Sequence, residues 1–273
     1  MTTADAGGWQ AEDEEQRGPV GKAFRLSAAD SLSLGNALCG FLAVCVLATS
    51  AVTSLQANKG LILQPGFFAT AVVLLLIGAT CDLFDGLVAR RFRASAMGAE
   101  LDNLADVISF GFAPAFMVVI WGGFSGTVPL WSVLAAAASV LIAGVVRLAR
   151  FACVKTKSGD FMGLPIPMGC MTVISIVMLF EPGVWSLLAV VGVSWLMVSR
   201  IEYPKPKGQV AAVVLGWILV NVAFLTFWVA FPQGGDLPIK IGASMQIALV
   251  AAIPLRMLFY KREQRKVAER IGG

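Results

Sequence analysis

The chain has 273 residues, of which 58% are hydrophobic and only 14% are charged. Soluble domains usually carry about 25% charged residues, so this composition excludes a soluble globular protein and indicates one that spans a membrane several times. The formal net charge is +4, and the sequence contains no histidine. Histidine-based acid–base catalysis and histidine metal ligands are therefore excluded, and any bound metal is expected to be a hard cation held by oxygen.

Eight apolar segments follow one another along the chain, and each can form a helix that crosses or nearly crosses a hydrocarbon core about 30 Å thick. Residues 20–31, just before the first segment, could form a short interfacial helix. We predict an all-α polytopic membrane protein with one membrane domain at residues 20–262, a disordered tail at 1–19 and a basic tail at 263–273. The predicted spans are 32–56, 65–89, 100–121, 129–150, 166–181, 184–199, 210–231 and 241–260.

The basic residues predict the orientation of these spans. With the N-terminus inside, 19 of the 21 Lys and Arg residues fall on the inner side, and only Lys59 and Lys240 fall outside. Inner loops of membrane proteins carry such an excess of Lys and Arg, and an odd number of spans would break the pattern. Both termini are therefore predicted to be cytosolic. Since the net charge reflects topology, the lipid bilayer is an expected partner and nucleic acid is not.

Four aspartates lie within 25 residues at the junction of the second and third predicted spans. Asp82 and Asp85 are three residues apart on one helix, and Asp102 and Asp106 are four apart on the next, so each pair lies on one helix face. A short loop makes the two helices antiparallel neighbours, and all four carboxylates can converge near the cytosolic interface. An uncompensated charge at membrane depth costs roughly 3 kcal/mol. Bound divalent cations are the simplest compensation.

Three interpretations of this cluster are possible. Clustered carboxylates for metals, Gly86 for close access and Arg90 for bidentate contact with phosphate are the groups that metal-assisted phosphoryl chemistry needs. A structural ion network with Arg90, Arg91 and Arg93 would explain one or two acids, but not four at regular helix spacing. A proton or ion pathway, as in an ion-coupled transporter, is the third interpretation. The sequence shows no inverted repeat of broken spans that would favour transport.

The cluster resembles the signature of the CDP-alcohol phosphotransferase family, Asp-x2-Asp-Gly-x2-Ala-Arg-x8-Gly-x3-Asp-x3-Asp. One departure is the spacer between the arginine and the second glycine, which has seven residues here where the family pattern has eight. The residues that match are Asp82, Asp85, Gly86, Ala89, Arg90, Gly98, Asp102 and Asp106.

The resemblance implies the family's fold and an enzyme whose four aspartates bind two divalent cations, Mg²⁺ or Mn²⁺. The metals would bridge the diphosphate of a lipid donor, CDP-diacylglycerol, and Asp106 would also act as general base on the incoming hydroxyl. The resemblance further suggests a homodimer, with residues 20–262 as the catalytic domain. We expect the chain in a bacterial cytoplasmic membrane, and the predicted topology places its site on the cytosolic side. The residues expected along the CDP site are Asn36, Asp82, Gly86, Ala89, Arg90, Ser95 and Gly98. For Asn36, a contact with the diphosphate or in the metal shell is expected, and an interfacial cap or a helix–helix hydrogen bond is the alternative.

Further stretches, at residues 31–43, 147–151 and 161–167, resemble the branch of the family that uses serine. An amino-acid acceptor needs a cation for its carboxylate, and Arg147 and Arg150 lie three residues apart at the cytosolic end of a span. Both are therefore candidate acceptor-binding residues. The implied reaction transfers a phosphatidyl group from CDP-diacylglycerol to L-serine and gives phosphatidylserine and CMP. Inositol phosphate, glycerol phosphate and choline are the alternative acceptors within the family.

Overall fold

Nearly all of the described chain is helical. The structure is a computed structural model, and it describes residues 26–57, 65–91, 97–123, 125–153 and 161–203, with 216, 220, 223, 237, 240–248 and 250–252 beyond them. A two-residue antiparallel pair joins β1 (Phe161–Met162) to β2 (Glu202–Tyr203). The helices are α1 (Ala28–Gln56), α2 (Pro65–Arg91), α3 (Gly98–Asp106), a π-helical segment (Val107–Phe112), α4 (Ala113–Gly122), α5 (Leu130–Cys153), α6 (Ile166–Leu179) and α7 (Val184–Val198).

The first four predicted spans are helices long and apolar enough to cross a membrane. The predicted fifth and sixth spans correspond to the shorter apolar helices α6 and α7, which a turn at residues 180–183 separates. Most of the seventh span, the end of the eighth and both predicted tails lie outside the described residues, so the number of eight stays a prediction. The chain is an all-α integral membrane protein. The four spanning helices are Ala28–Gln56, Gly66–Gly86, Gly98–Gly122 and Leu130–Cys153.

The first helix begins earlier than the first predicted span. Ser27 and Asp30 form a capping box, in which the Asp30 amide donates to Ser27 Oγ (3.2 Å) and the Ser27 amide donates to Asp30 Oδ2 (2.7 Å). The first amide groups of a helix have no carbonyl acceptor within the helix, and these two bonds provide acceptors for two of them. Residues 28–31 are therefore continuous with α1 and form no separate interfacial helix, while 20–25 lie outside the described part of the chain.

A π-helical segment, which the sequence did not predict, interrupts the third span directly after Asp106. Pro114 is the second residue of α4 and has no N–H to donate to the carbonyl of Phe110, four residues earlier. A regular α-helical hydrogen-bond ladder therefore cannot run through this point. The wider π turn accommodates the break, and such turns are frequent at functional sites.

Small residues allow α1 to approach its neighbours closely. A Cβ atom built on Gly40 would lie 2.6 Å from the Cα of Ser109, and one built on Gly78 would lie 2.7 Å from Oδ1 of Asn36. Small residues permit this kind of backbone approach between membrane helices. The Ser109 hydroxyl also donates to the carbonyl oxygen of Asn36 at 2.7 Å, which links the third span to α1. Polar side chains of α1 can therefore reach groups on both neighbouring helices.

We predict that Gly40→Ala destabilises the fold by about 1–3 kcal/mol, because the added methyl group would overlap the backbone of Ser109. Gly192→Ala is the matched control, since a Cβ on Gly192 meets no atom within 4 Å. Thermal unfolding of the purified variants in one detergent measures both effects. Equal unfolding midpoints for Gly40→Ala and the wild type would contradict the close contact between α1 and the π-helical segment.

Candidate active site

The predicted site residues come from helix ends that meet at one end of the bundle. They lie near the start of α1, the end of α2, the start of α3 and the end of α5. The segment before α6 and the end of α7 join them there, because the amides of Gly163 and Leu164 donate to the carbonyls of Ile201 (2.8 Å) and Leu196 (3.1 Å). Successive helices run in opposite directions. The start of one helix and the end of the next therefore lie at the same end of the bundle, where the site is.

Three of the four aspartates form a tight cluster. One carboxylate oxygen from each of Asp82, Asp102 and Asp106 lies within 4.8 Å of the others. The carboxyl group of Asp85 is in contact with that of Asp102, which connects the fourth aspartate to the cluster. Asp85 and Asp106 are buried, with 6% and 7% of their surface exposed. The structure therefore brings the two sequence pairs together at one place.

This set of donor atoms fits hard divalent cations. Carboxylate oxygens are the ligands that Mg²⁺ and Mn²⁺ prefer, and three of them converge here. The Oδ1 atom of Asp102 is buried and has no hydrogen-bond partner among the described residues. A buried carboxylate oxygen without a donor is costly unless a cation pairs with it. Asp82, Asp102 and Asp106 could therefore hold one ion, and Asp85 is placed to extend the site.

Two polar side chains of α1 contact two of the aspartates. Ser33 Oγ donates to Oδ2 of Asp85 at 2.9 Å, and Asn36 Nδ2 donates to Oδ1 of Asp106 at 3.2 Å. Both donors are buried, with 3% of Ser33 and 0% of Asn36 exposed. The sequence suggested for Asn36 a contact with the diphosphate or the metal shell, or a hydrogen bond between helices, and its described side-chain contact is with Asp106. Sequence reasoning missed Ser33, although its spacing of three residues from Asn36 on an apolar helix was an available signal.

The two arginines of α5 have different partners. Arg147 is buried, with 6% of its surface exposed, and its guanidinium interacts electrostatically with Asp106 and Asp82. Arg147 therefore belongs to the aspartate site, whereas Arg150 ties the segment before α6 to the end of α7. The Arg150 guanidinium donates to three backbone carbonyls, those of Val198 (2.8 Å), Met162 (2.9 Å) and Ser199 (3.1 Å).

Gly163 occupies a position that demands glycine. Its φ angle is +83°, a left-handed conformation that residues with a Cβ rarely adopt. A Cβ at this position would also overlap the carbonyl oxygen of Met197. The sequence associated the Gly-Leu-Pro stretch with the choice of acceptor. In the structure this stretch, just before α6, packs against the end of α7 next to the Arg150 guanidinium.

The remaining predicted residues lie around the ends of α2 and α3. A Cβ on Gly86 would meet no atom within 4 Å, so open space lies at this position of α2. Gly98 is the first residue of α3. Ala89 and Arg90 belong to α2, but their side chains lie outside the described part of the structure, as does the whole of Ser95. Most of the seven-residue spacer falls outside it too.

Comparison with known proteins identifies a family model and several relatives that this chain matches. The family model for CDP-alcohol phosphatidyltransferases matches residues 26–234. The CDP-diacylglycerol–serine O-phosphatidyltransferase of Bacillus subtilis is 32% identical over 184 residues, which cover 66% of this chain and 91% of that protein. The archaetidylserine synthase of Methanothermobacter thermautotrophicus is 31% identical over 195 residues, which cover 68% and 73%. A CDP-diacylglycerol–serine O-phosphatidyltransferase of Methanocaldococcus jannaschii is 33% identical over 160 residues, which cover 58% and 74%.

The matched region contains every residue of the site, from Ser33 on α1 to Ser199 after α7. It covers well over half of the chain, and it includes both aspartate pairs of the signature that the sequence resembles. The family expected from the sequence is thereby confirmed. The chain belongs to the CDP-alcohol phosphatidyltransferase family.

Proposed function

We propose that this chain transfers the phosphatidyl group of CDP-diacylglycerol to the hydroxyl of L-serine, giving phosphatidylserine and CMP. The observation that carries the proposal is the cluster of Asp82, Asp102 and Asp106 beside Arg147 in a member of this family. The relatives support the acceptor, because those from B. subtilis and M. jannaschii are named for serine and the one from M. thermautotrophicus for archaetidylserine.

Two divalent cations, Mg²⁺ or Mn²⁺, on the four aspartates would neutralise charge on the phosphoryl oxygens of the donor. Asp106 would accept the proton of the serine hydroxyl. The serine oxygen then forms a bond to the phosphorus on the lipid side, the bond from that phosphorus to the CMP oxygen breaks, and CMP leaves. Burial of Asp106 and its bond from Asn36 support this role, because they keep the carboxylate in one orientation.

We assign the serine carboxylate to Arg147. Among the residues whose side chains the structure describes, Arg147 is the cation that interacts with the aspartates. Its guanidinium can make a bidentate contact with a carboxylate. Arg150, the other candidate, has its described hydrogen bonds on backbone carbonyls, so we assign it the support of this end of the bundle. The CDP contacts proposed for Gly86, Ala89, Arg90, Ser95 and Gly98 stay predictions, and the open space at Gly86 favours its part in them. A CDP contact of Asn36 is a prediction that its complete burial disfavours.

We also propose that the site and both termini face the cytosol. The distribution of Lys and Arg residues supports this orientation, because Arg147 and Arg150 lie at the same end of the bundle as the aspartates. A cytosolic site would be open to serine and to departing CMP, both of which are water-soluble. The homodimer, which the family resemblance implies, and the bacterial cytoplasmic membrane stay predictions.

The acceptor can be tested by measuring CMP release. Purified protein with CDP-diacylglycerol and Mn²⁺ or Mg²⁺ is expected to release CMP with L-serine, and more slowly with inositol phosphate, glycerol phosphate or choline. Chelation of the divalent cations is expected to stop the release, because the aspartates would then lack their counter-ions. No CMP with any alcohol would contradict the proposed reaction, whereas CMP with another alcohol but not with serine would contradict only the acceptor.

Asp106→Asn is expected to lower the turnover number by about 10²–10⁴-fold, because an amide cannot take the proton of the serine hydroxyl. Binding of CDP-diacylglycerol should change far less, since three of the four aspartates still hold metal and the amide oxygen can still accept the hydrogen bond from Asn36. Glu100→Gln is the matched control, because Glu100 is an exposed acid on the same helix. Undiminished turnover in Asp106→Asn would remove Asp106 from the role of general base.

Arg147→Lys is expected to raise the KM for serine by about tenfold, because lysine cannot reproduce a bidentate contact with a carboxylate. Arg150→Lys is the comparison: it should lower the thermal stability, since the contacts with the carbonyls of Val198, Met162 and Ser199 need the guanidinium fork. Steady-state kinetics at varied serine concentration separate the two residues. An unchanged KM for serine with weaker CDP-diacylglycerol binding would place Arg147 on the donor instead.

A further inference from the structure

We infer that Ser33 and Asn36 are positioning residues, which hold Asp85 and Asp106 in the orientation that binds the metal ions. The inference rests on the proposed function, because it concerns the same site. The two residues are three apart on α1 and therefore lie on one helix face. Helix α1 supplies none of the four signature aspartates, yet it contacts one member of each pair.

Ser33 restrains the aspartate pair of α2. Its hydroxyl carries one proton, and the Asp85 carboxylate at 2.9 Å is a closer acceptor than the carbonyl of Ala29 at 3.3 Å. A hydrogen bond to a charged acceptor is also the stronger of the two. Because one oxygen of Asp85 is held from α1, the carboxylate cannot turn freely about its Cβ–Cγ bond. Ser33 therefore sets the direction in which Asp85 faces Asp102.

Asn36 restrains the pair on the third span. An ionised carboxylate only accepts hydrogen bonds, so the amide NH₂ of Asn36 must face Asp106 and its Oδ1 must point away. That oxygen packs against Gly78, where a Cβ would lie 2.7 Å from it. The backbone carbonyl of Asn36 accepts the Ser109 hydroxyl. The side chain is thus fixed between α2 and the third span.

Burial favours this role over a direct contact with the donor. Asn36 has 0% of its surface exposed and Ser33 has 3%, so a bound nucleotide could reach neither without moving α1. Outer hydrogen-bond partners of metal-binding carboxylates orient the ligand, and losing one typically costs about 10–100-fold in metal affinity or activity. The Ser33 hydroxyl, which donates to Asp85, and the Asn36 amide, which donates to Asp106, are partners of this kind.

The first experiment measures Mn²⁺ binding to the purified full-length chain by electron paramagnetic resonance of the free ion. Ser33→Ala is expected to raise the Kd for Mn²⁺ by about tenfold or more, and Ser33→Thr, which keeps the hydroxyl, should restore it. Ser31→Ala is the matched control on the same helix, because the Ser31 hydroxyl bonds only to the carbonyl of Ser27 in the described structure. That control should bind Mn²⁺ like the wild type.

The second experiment disturbs Asn36 without removing a polar group. In Gly78→Ala the new methyl group would push the Asn36 amide away from its place against Asp106. Weaker Mn²⁺ binding by about tenfold is expected, together with slower CMP release. Gly66→Ala is the control in the same helix, since a Cβ on Gly66 meets nothing within 4 Å. Thermal unfolding of each variant shows whether the bundle is intact.

The outcomes separate this inference from the proposed function. Wild-type protein that binds Mn²⁺ and releases CMP, with Ser33→Ala and Gly78→Ala binding Mn²⁺ equally well, would overturn the positioning role alone. Wild-type protein that neither binds Mn²⁺ nor releases CMP would overturn both. Weaker Mn²⁺ binding in Ser33→Ala and Gly78→Ala, with rescue by Ser33→Thr and unchanged controls, would establish the positioning role of Ser33 and Asn36.

Discussion

Four carboxylates must be held together at the end of an apolar helix bundle, and the rest of the site depends on how their charge is compensated. Burial of each carboxylate away from water is costly, and the mutual repulsion of the four adds to this cost. Three kinds of group can offset this cost. They are the hydrogen-bond donors Ser33 and Asn36, the guanidinium of Arg147, and cations that would pair with the Oδ1 atom of Asp102, which has no hydrogen-bond partner among the described residues. The hydrogen-bond donors come from α1, the guanidinium from α5 and the aspartates from α2 and α3, so the site needs several helix ends at one point.

That convergence depends on small residues close to the site. Asn36 reaches Asp106 only because α1 lies against the π-helical segment at Gly40 and against α2 at Gly78. Farther from the site, the same helices pack through large apolar side chains such as Leu47 and Leu75, both fully buried. Apolar packing therefore holds the helices together along their length, while glycine sets the separation that the polar contacts require.

The sequence predicted what local helix geometry determines. The spacings within the two aspartate pairs place each pair on one face, and the structure brings both pairs together. The earlier start of α1 was also readable, because Ser27 and Asp30 have the spacing of a capping box. The π-helical segment, the bond from Ser33 and the different partners of Arg147 and Arg150 were not predicted. The partners of Ser33, Arg147 and Arg150 depend on distances between helices and loops, which neither periodicity nor charge pattern encodes. Pro114 was a local signal for a break in the helix, but not for the π form that the break takes.

The turns that carry the polar site also present apolar side chains on their outer faces. Leu34, Phe84 and Leu104 are 45%, 41% and 62% exposed, and each lies one or two positions from Ser33, Asp85 or Asp106. Polar and apolar surfaces therefore lie within one or two residues of each other on these turns. A donor that joins a charged diphosphate to two acyl chains requires both kinds of surface close together, which supports a reaction on a lipid that stays in the bilayer.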